Sequence, residues 1–417
     1  MEVLRIEGGN RISGVFSVGG AKNAVLPILA AAILTDEDVV LTGCPKLLDV
    51  NNMLKIMETL GCRCAFGGDG TIRIQSGNAN GWEMPDELSK ALRSSIFMMG
   101  PILGRFHKAT VTYPGGCEIG QRPIDLHLKG LRALGVEIEE THGMIYCNGE
   151  NLRGGPVHFD FPSVGATENI MMAAVLAKGE TVITNAAREP EIVDLQRFIN
   201  LMGGDVSGAG TDEIRVRGVS KLHGAAYRPL PDRIVAGTLL VTAAMTRGEI
   251  ELIGAVPGDL GAVLDKLRQA GCEIGASEAA IRLKAPEKLA AIEVSTQPYP
   301  GFPTDMQAQI MAMACTAKGT SVIVENVFEN RLSHAAQLRR MGAEIIVNNR
   351  TAVIRGGRLT GARVSARDLR GGAALVMAAL AAEGVTVVDN LSQIDRGYEA
   401  FENTLKSLGA NIVREEI

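Results

Sequence analysis

One of seven cysteines, Cys117, stands between paired glycines and an arginine-proline in Tyr113-Pro-Gly-Gly-Cys-Glu-Ile-Gly-Gln-Arg-Pro-Ile-Asp-Leu-His127. Glycines accept backbone conformations that other residues resist, and a nearby cation favours the thiolate. The stretch therefore has the make-up of a surface loop carrying a reactive thiol beside Arg122. The plain alternative is a free cysteine in a turn. Other groups able to do chemistry are spread along the chain: Lys22, Arg93, Arg331, Arg370 and Arg396. A guanidinium fork matches carboxylate and phosphate oxygens at two points, although a lone arginine is usually a solvated surface group. Asp305, in Pro303-Thr-Asp-Met306 at the mouth of an apolar helix, is either a base or a carboxylate facing free backbone amides. Ser163-Val-Gly165 opens another apolar helix, where the N-terminus favours anions. His127 is open to two readings, a base or a structural ring.

The composition narrows the classes of function. At 417 residues, two or three domains are expected, and 46% hydrophobic residues suffice for their cores. A net charge of −5 and 4% aromatics argue against a nucleic-acid partner. The apolar run from Ala24 to Leu34 is shorter than the roughly 20 residues of a membrane span, so no membrane partner is expected. Met1-Glu-Val-Leu-Arg-Ile6 lacks the order of a signal peptide, and a cytoplasmic protein is expected. An odd number of scattered cysteines fits reduced thiols. Cys62 and Cys64 lack the further ligands of a zinc site, so no metal and no organic cofactor are expected.

The elements that must position these groups repeat. A short helix ending in glycine and followed by a β-type run recurs roughly every 70 residues, with its glycine at Gly61, Gly135, Gly203, Gly271, Gly342 and Gly409. Upstream of each lies a helix rich in Ala, Met and Leu with no polar face, which belongs in a core. The hairpin that closes each unit ends in a strand such as Thr71-Ile-Arg-Ile74 or Ala280-Ile-Arg-Leu283. The sixth unit runs out of chain at Ile417, and Val3-Leu-Arg-Ile6 matches its missing strand. The expected fold is α/β, with six repeated units, three per domain, around buried central helices. Residues 21–229 form one domain, and residues 1–20 with 230–417 form a discontinuous second one.

Six separated motifs resemble one family in its order. They are Gly20-Ala-Lys-Asn-Ala24, the Cys117 loop, Phe302-Pro-Thr-Asp-Met-Gln-Ala-Gln309, Val327-Phe-Glu-Asn-Arg331, Asp368-Leu-Arg370 and Ile394-Asp-Arg-Gly-Tyr398. Together they are similar to the enolpyruvyl transferases that act on UDP-N-acetylglucosamine. The resemblance implies an inside-out α/β barrel of two domains with the active site in a cleft between them. It implies transfer of enolpyruvyl from phosphoenolpyruvate to the sugar 3-hydroxyl, the first committed step of bacterial peptidoglycan synthesis, and covalent inhibition by fosfomycin. Cys117 would be the proton donor and Asp305 the base. Lys22, Arg122 and Arg396 would hold the phosphate, and Arg331 and Arg370 the carboxylate, with Asn23 close by. The nucleotide sugar would meet Arg93, Arg122, Pro123, Ile124, Asp125, Leu126, Ser163, Val164, Gly165, Asp305 and Val327. Phe161 replaces a lysine found in some members, which puts a nucleotide contact there in doubt. Two alternatives stand beside this reading: 3-phosphoshikimate 1-carboxyvinyltransferase, and a non-catalytic regulator that binds a nucleotide sugar.

Overall fold

The computed structural model describes residues 2–113 and 124–417. These divide into two compact units, one of residues 20–113 and 124–230, the other of residues 2–19 and 231–417.

In the first unit, three largely apolar helices, Lys22–Ala31, Met99–Phe106 and Val164–Ala174, form the core. Every residue of Lys22–Ala31 except Asn23 is buried, as is every residue of the Val164–Ala174 helix from Ala166 onward. A helix without a polar face has no stable place at a surface, so the sheets cover it. Two four-stranded sheets and one three-stranded sheet do so. In one of them, the strand Glu180–Thr184 pairs in parallel with Pro156–His158 and antiparallel with Glu213–Arg217, which in turn pairs with Asp205–Ser207. Among the described residues the three-stranded sheet has no parallel edge strand, and a parallel bridge from Glu83 to Thr110 stands in its place.

The second unit repeats the plan with three four-stranded sheets around the helices Arg233–Met245, Gln307–Ala314 and Leu369–Ala381. Its last sheet takes its third strand from the other end of the chain. Glu2–Glu7 lies between Val385–Asp389 and Asn411–Glu416, antiparallel to both, with Val3, Leu4 and Ile6 fully buried. Without that strand the two partners would present open edges.

All six helix-ending glycines have positive φ, between 84° and 101°. In each case the N–H of the next residue returns to a carbonyl five residues back, as in Cys62 to Met57 and Ala410 to Leu405. This 6→1 closure needs a left-handed residue, which glycine supplies without steric penalty. Among the described residues no helix is long and apolar enough to cross a membrane.

Candidate active site

In the second unit the short turn Thr304–Met306 presents Asp305 at the start of the buried helix Gln307–Ala314. Its carboxylate receives Arg331 Nη2 at 2.7 Å on Oδ1 and Arg370 Nη2 at 3.2 Å on Oδ2. Both guanidiniums are buried, with side chains 5% and 3% exposed, while that of Asp305 is 27% exposed. Arg370 comes from the first turn of Leu369–Ala381 and stacks on the buried ring of Tyr398, 5.3 Å from its centroid. Arg331 stacks on Phe328 at 5.2 Å. These contacts leave donors over. Arg370 Nε and Nη1 and Arg331 Nε are buried without a hydrogen-bond partner among the described residues. Buried donors are rarely left unsatisfied, so the arrangement suits an incoming anion.

A second layer holds this group in place. Gln309 Nε2 donates to the Asp305 carbonyl at 2.9 Å and to Thr238 Oγ1 at 3.1 Å, and Thr238 Oγ1 meets Tyr398 Oη at 2.9 Å. Fully buried Glu325 accepts from Thr296 and Thr304 hydroxyls, each at 2.9 Å, and from the N–H groups of Val327 and Phe328. One carboxylate thus ties the Asp305 turn to the Val327 segment. Arg396 is half-buried and follows the short helix Ser392–Asp395.

In the first unit, Lys22 begins its buried helix with Nζ 2.6 Å from Asp49 Oδ2, and that aspartate is 1% exposed. A buried carboxylate at this distance fixes where the lysine's amino group sits. Asn23 is the one residue of that helix not fully buried. Ser163 caps the Val164–Ala174 helix, its Oγ accepting from Ala166 N at 3.3 Å, with Val164 and Gly165 in the first turn. Ile124 is buried, and Asp125 and Leu126 open the Asp125–Ala133 helix. Phe161 is 44% exposed. His127, in the same helix as Asp125, is buried, and burial pushes its ring down to about 4, so it is neutral at ordinary pH. The expectations for Cys117, Arg122, Pro123 and the Arg93 side chain lie outside the described residues.

Within the second unit, then, Asp305, Arg331 and Arg370 converge, with Val327 braced beside them. Within the first, the Ser163–Gly165 turn meets the helix that carries Asp125 and Leu126. Sequence reasoning passed over Asp49, Glu325, Tyr398 and Asn169. Three of them carry a related signal, polar residues within or at the end of an apolar segment: Leu47-Leu-Asp-Val50, Val322-Ile-Val-Glu325 and Ala166-Thr-Glu-Asn-Ile170. A surface concavity of about 570 Å³ lined by Trp82, Lys108, Glu137, Glu139 and Tyr146 contains none of the expected site residues. Convergent buried charge marks a site more specifically than volume does. No group of three or more His, Cys, Asp or Glu residues suited to a metal ion occurs among the described residues.

The sequence model described as EPSP synthase (3-phosphoshikimate 1-carboxyvinyltransferase) matches residues 6–405. UDP-N-acetylglucosamine 1-carboxyvinyltransferase 2 of Caldanaerobacter subterraneus subsp. tengcongensis is 51% identical over 416 residues, covering 99% of this chain and 100% of the relative. The UDP-N-acetylglucosamine 1-carboxyvinyltransferase of Nitratidesulfovibrio vulgaris is 48% identical, with 100% of both chains covered. Among solved structures, the enolpyruvyl transferase NikO from Streptomyces tendae superposes with a TM-score of 0.89 at 23% identity, covering 99% of this chain and 98% of that one. EPSP synthase from Acinetobacter baumannii gives 0.75 at 20% identity with full coverage of both chains, and at such identities these two structures speak for the fold. With its α/β fold shared by those structures and half of its residues identical to relatives of the same length, the chain belongs to the enolpyruvyl transferase family, in its UDP-N-acetylglucosamine 1-carboxyvinyltransferase branch.

Proposed function

We propose that this enzyme transfers the enolpyruvyl group of phosphoenolpyruvate to the 3-hydroxyl of UDP-N-acetylglucosamine, releasing phosphate and supplying the first committed step of peptidoglycan synthesis in the cytoplasm. The observation that carries the reading is the buried Arg331–Asp305–Arg370 group with guanidinium donors left over. Two arginine forks offer a small carboxylate more donors than Asp305 uses. An incoming carboxylate competes for them and frees Asp305 to act as base on the sugar hydroxyl.

In the proposed reaction the sugar 3-oxygen bonds to C2 of phosphoenolpyruvate as its proton passes to Asp305, and Cys117 protonates C3. The resulting tetrahedral phospholactoyl adduct loses a proton from C3 and expels phosphate, restoring the double bond. Lys22, Arg122 and Arg396 neutralise the phosphate, and Asn23 lies beside it. Lys22 is already held by Asp49, so its position does not depend on the ligand. The uridine nucleotide rests on residues 122–126 with Arg93, its diphosphate on the turn Ser163-Val-Gly165, and Val327 is a further contact on the nucleotide side. Bound anions lower the positive field at Cys117 and favour the thiol that the protonation requires. Neither metal nor organic cofactor is needed, because protonation and fixed cations supply the stabilisation. Each unit forms an inside-out barrel, residues 21–229 and residues 1–20 with 230–417, and the two close on the substrates. Fosfomycin alkylates Cys117.

The test is phosphate release from phosphoenolpyruvate with UDP-N-acetylglucosamine, with shikimate 3-phosphate, and with no acceptor. Release should require the nucleotide sugar. Equal or greater release with shikimate 3-phosphate would assign the protein to the sister reaction, and no release with either acceptor would favour a regulator.

A further inference from the structure

Arg396 belongs to a segment too short to hold itself in place. The helix Ser392–Asp395 before it is a single turn of four residues, and an isolated turn of that length is not stable on its own. Its position is set by what its neighbours are tied to. On the inner side the tie is Tyr398, 2% exposed, whose Oη meets Thr238 Oγ1 at 2.9 Å and accepts from Gln309 Nε2 at 3.3 Å. Gly397 beside it packs on the opening of Leu369–Ala381 so closely that a Cβ would come 2.7 Å from Leu369 Cδ2.

On the outer side the tie is Arg414, in the last strand, Asn411–Glu416. Each of its two terminal nitrogens carries two protons, and each donates twice. Nη1 donates to Asp395 Oδ2 at 3.1 Å and to Glu2 Oε2 at 3.3 Å. Nη2 donates to Asp395 Oδ1 at 2.7 Å and to Glu402 Oε2 at 3.3 Å. Nε lies 3.0 Å from Glu402 Oε1 in an ion-pair contact rather than a hydrogen bond. Asp395 is thus gripped on both oxygens by parallel N–H groups, which the planar fork of arginine supplies and the ammonium of lysine does not. The side chains of Arg414 and Asp395 are 24% and 31% exposed, so water screens the pair less than it would at an open surface. Asp395 immediately precedes Arg396. Glu402 belongs instead to the following helix, Phe401–Ser407, and Glu2 to the N-terminal strand that pairs with Asn411–Glu416. One guanidinium therefore joins both ends of the chain to the turn that leads into Arg396.

We propose that Arg414 is a positioning residue for the reaction: by gripping Asp395 it fixes the direction in which Arg396 presents its guanidinium to the phosphate of phosphoenolpyruvate. The assignment rests on the functional reading above, which puts Arg396 at that phosphate. Arg414 itself touches no substrate in this scheme. With Asp395 released, the turn is held from the Tyr398 side alone, and Arg396 samples directions that miss the phosphate. The grip on Asp395 carries the effect on binding, whereas the contacts with Glu402 carry stability.

The test compares two variants that each remove one carboxylate charge from around Arg414 and keep the shape of the side chain. Asp395→Asn loosens the grip next to Arg396. Glu402→Gln loosens a more buried partner, 13% exposed, and leaves Asp395 held. The KM for each substrate, the inhibition constant of inorganic phosphate and Tm are measured. Asp395→Asn should raise the phosphoenolpyruvate KM and the phosphate inhibition constant together by about tenfold, the lower end for a lost hydrogen bond to a charged group, while the UDP-N-acetylglucosamine KM stays within about twofold. Glu402→Gln should lower Tm at least as much as Asp395→Asn and leave all three constants within about twofold of wild type. Arg414→Lys, which keeps the charge and loses the fork, should shift the constants in the direction of Asp395→Asn. A wild-type phosphoenolpyruvate KM in Asp395→Asn, an unchanged phosphate constant in that variant, or equal effects of Asp395→Asn and Glu402→Gln on the KM would overturn the proposal. Arg396→Gln separates the two inferences. If it keeps the wild-type phosphoenolpyruvate KM, the reading of Arg396 as a phosphate contact fails; if it raises that KM and Asp395→Asn does not, only the role of Arg414 fails.

Discussion

Replacing Asp305 by asparagine keeps the shape of the side chain and removes a negative charge lying within 3.2 Å of both Arg331 and Arg370. Breaking a fully buried ion pair from one side costs about 3–5 kcal/mol, because the partner charge stays buried. Asp305 is 27% exposed and asparagine can still accept from one guanidinium, so water and that hydrogen bond reduce the loss to about 1–3 kcal/mol. For a unit of this size that is a fall of about 3–10 °C in Tm. Turnover should fall much further, by about 10²- to 10⁴-fold, the usual contribution of a positioned base. The two losses have opposite consequences for binding. With their internal carboxylate gone, the guanidiniums offer all their donors to a ligand. Phosphoenolpyruvate should therefore raise the Tm of Asp305→Asn by more than it raises that of the wild type. The assay is differential scanning calorimetry with and without phosphoenolpyruvate, alongside phosphate release at saturating substrates. An asparagine variant with wild-type turnover would remove Asp305 from the role of base. One that is destabilised without a larger gain from phosphoenolpyruvate would refute the argument that Asp305 and the substrate carboxylate share these arginines.

Deleting residues 1–9 removes Val3, Leu4 and Ile6 from full burial, about 1.5–3 kcal/mol each, and opens two strand edges. The sum approaches the whole stability of a typical domain, so the truncated protein should lose cooperative unfolding of residues 231–417; a melt like that of the full chain would show that the strand is dispensable. Burial pushes the thiols of Cys44, Cys64, Cys147, Cys272 and Cys315 up to about 12 and that of Cys62 to about 11, which leaves them protonated at pH 8. Mass spectrometry should then find one rapid adduct with iodoacetamide or fosfomycin, absent from Cys117→Asp, while that variant retains turnover that Cys117→Ala loses; several rapid adducts, or an inactive aspartate variant, would contradict this. The neutral His127 ring carries a pH signature of its own. As pH falls below 6.5 the unfolded chain takes up a proton that the buried ring refuses until about pH 4, so stability is lost over that window, by about 3 kcal/mol at most. Urea unfolding at pH 7 and pH 4.5 should show a smaller loss in His127→Asn than in the wild type, and equal losses would mean that this ring does not titrate differently in the two states.

The local grammar of this fold is written in the chain. Apolar runs without a polar face mark the buried helices, since a helix such as Lys22–Ala31 has nowhere to turn a wet side. Six spaced glycines mark where the outer helices stop, because the left-handed closure at Gly61 or Gly409 strains any other residue. The alternation in Val3-Leu-Arg-Ile6 marks a strand, and its likeness to the closing strands Thr71-Ile-Arg-Ile74 and Ala280-Ile-Arg-Leu283 marks its place in a unit. The motifs also name most of the groups that could do chemistry, because a backbone turn with a capping serine or a guanidinium beside a carboxylate depends on residue type.

Which of those groups meet is decided by folding. Arg331 and Arg370 lie 26 and 65 residues beyond Asp305, and nothing in either motif says that both forks close on one carboxylate. Asp49 beneath Lys22, Glu325 beneath Thr304 and Val327, and the Asn169 amide between the Gly100 N–H and the His127 ring are likewise pairings between distant segments. The physical reason is a difference in range. Burial of a side chain follows from the periodicity of its own helix or strand, whereas a buried polar group is tolerable only when a particular partner arrives from elsewhere with the right geometry. Periodicity is a property of a dozen consecutive residues, and partnership exists only once the sheets have closed around the helices.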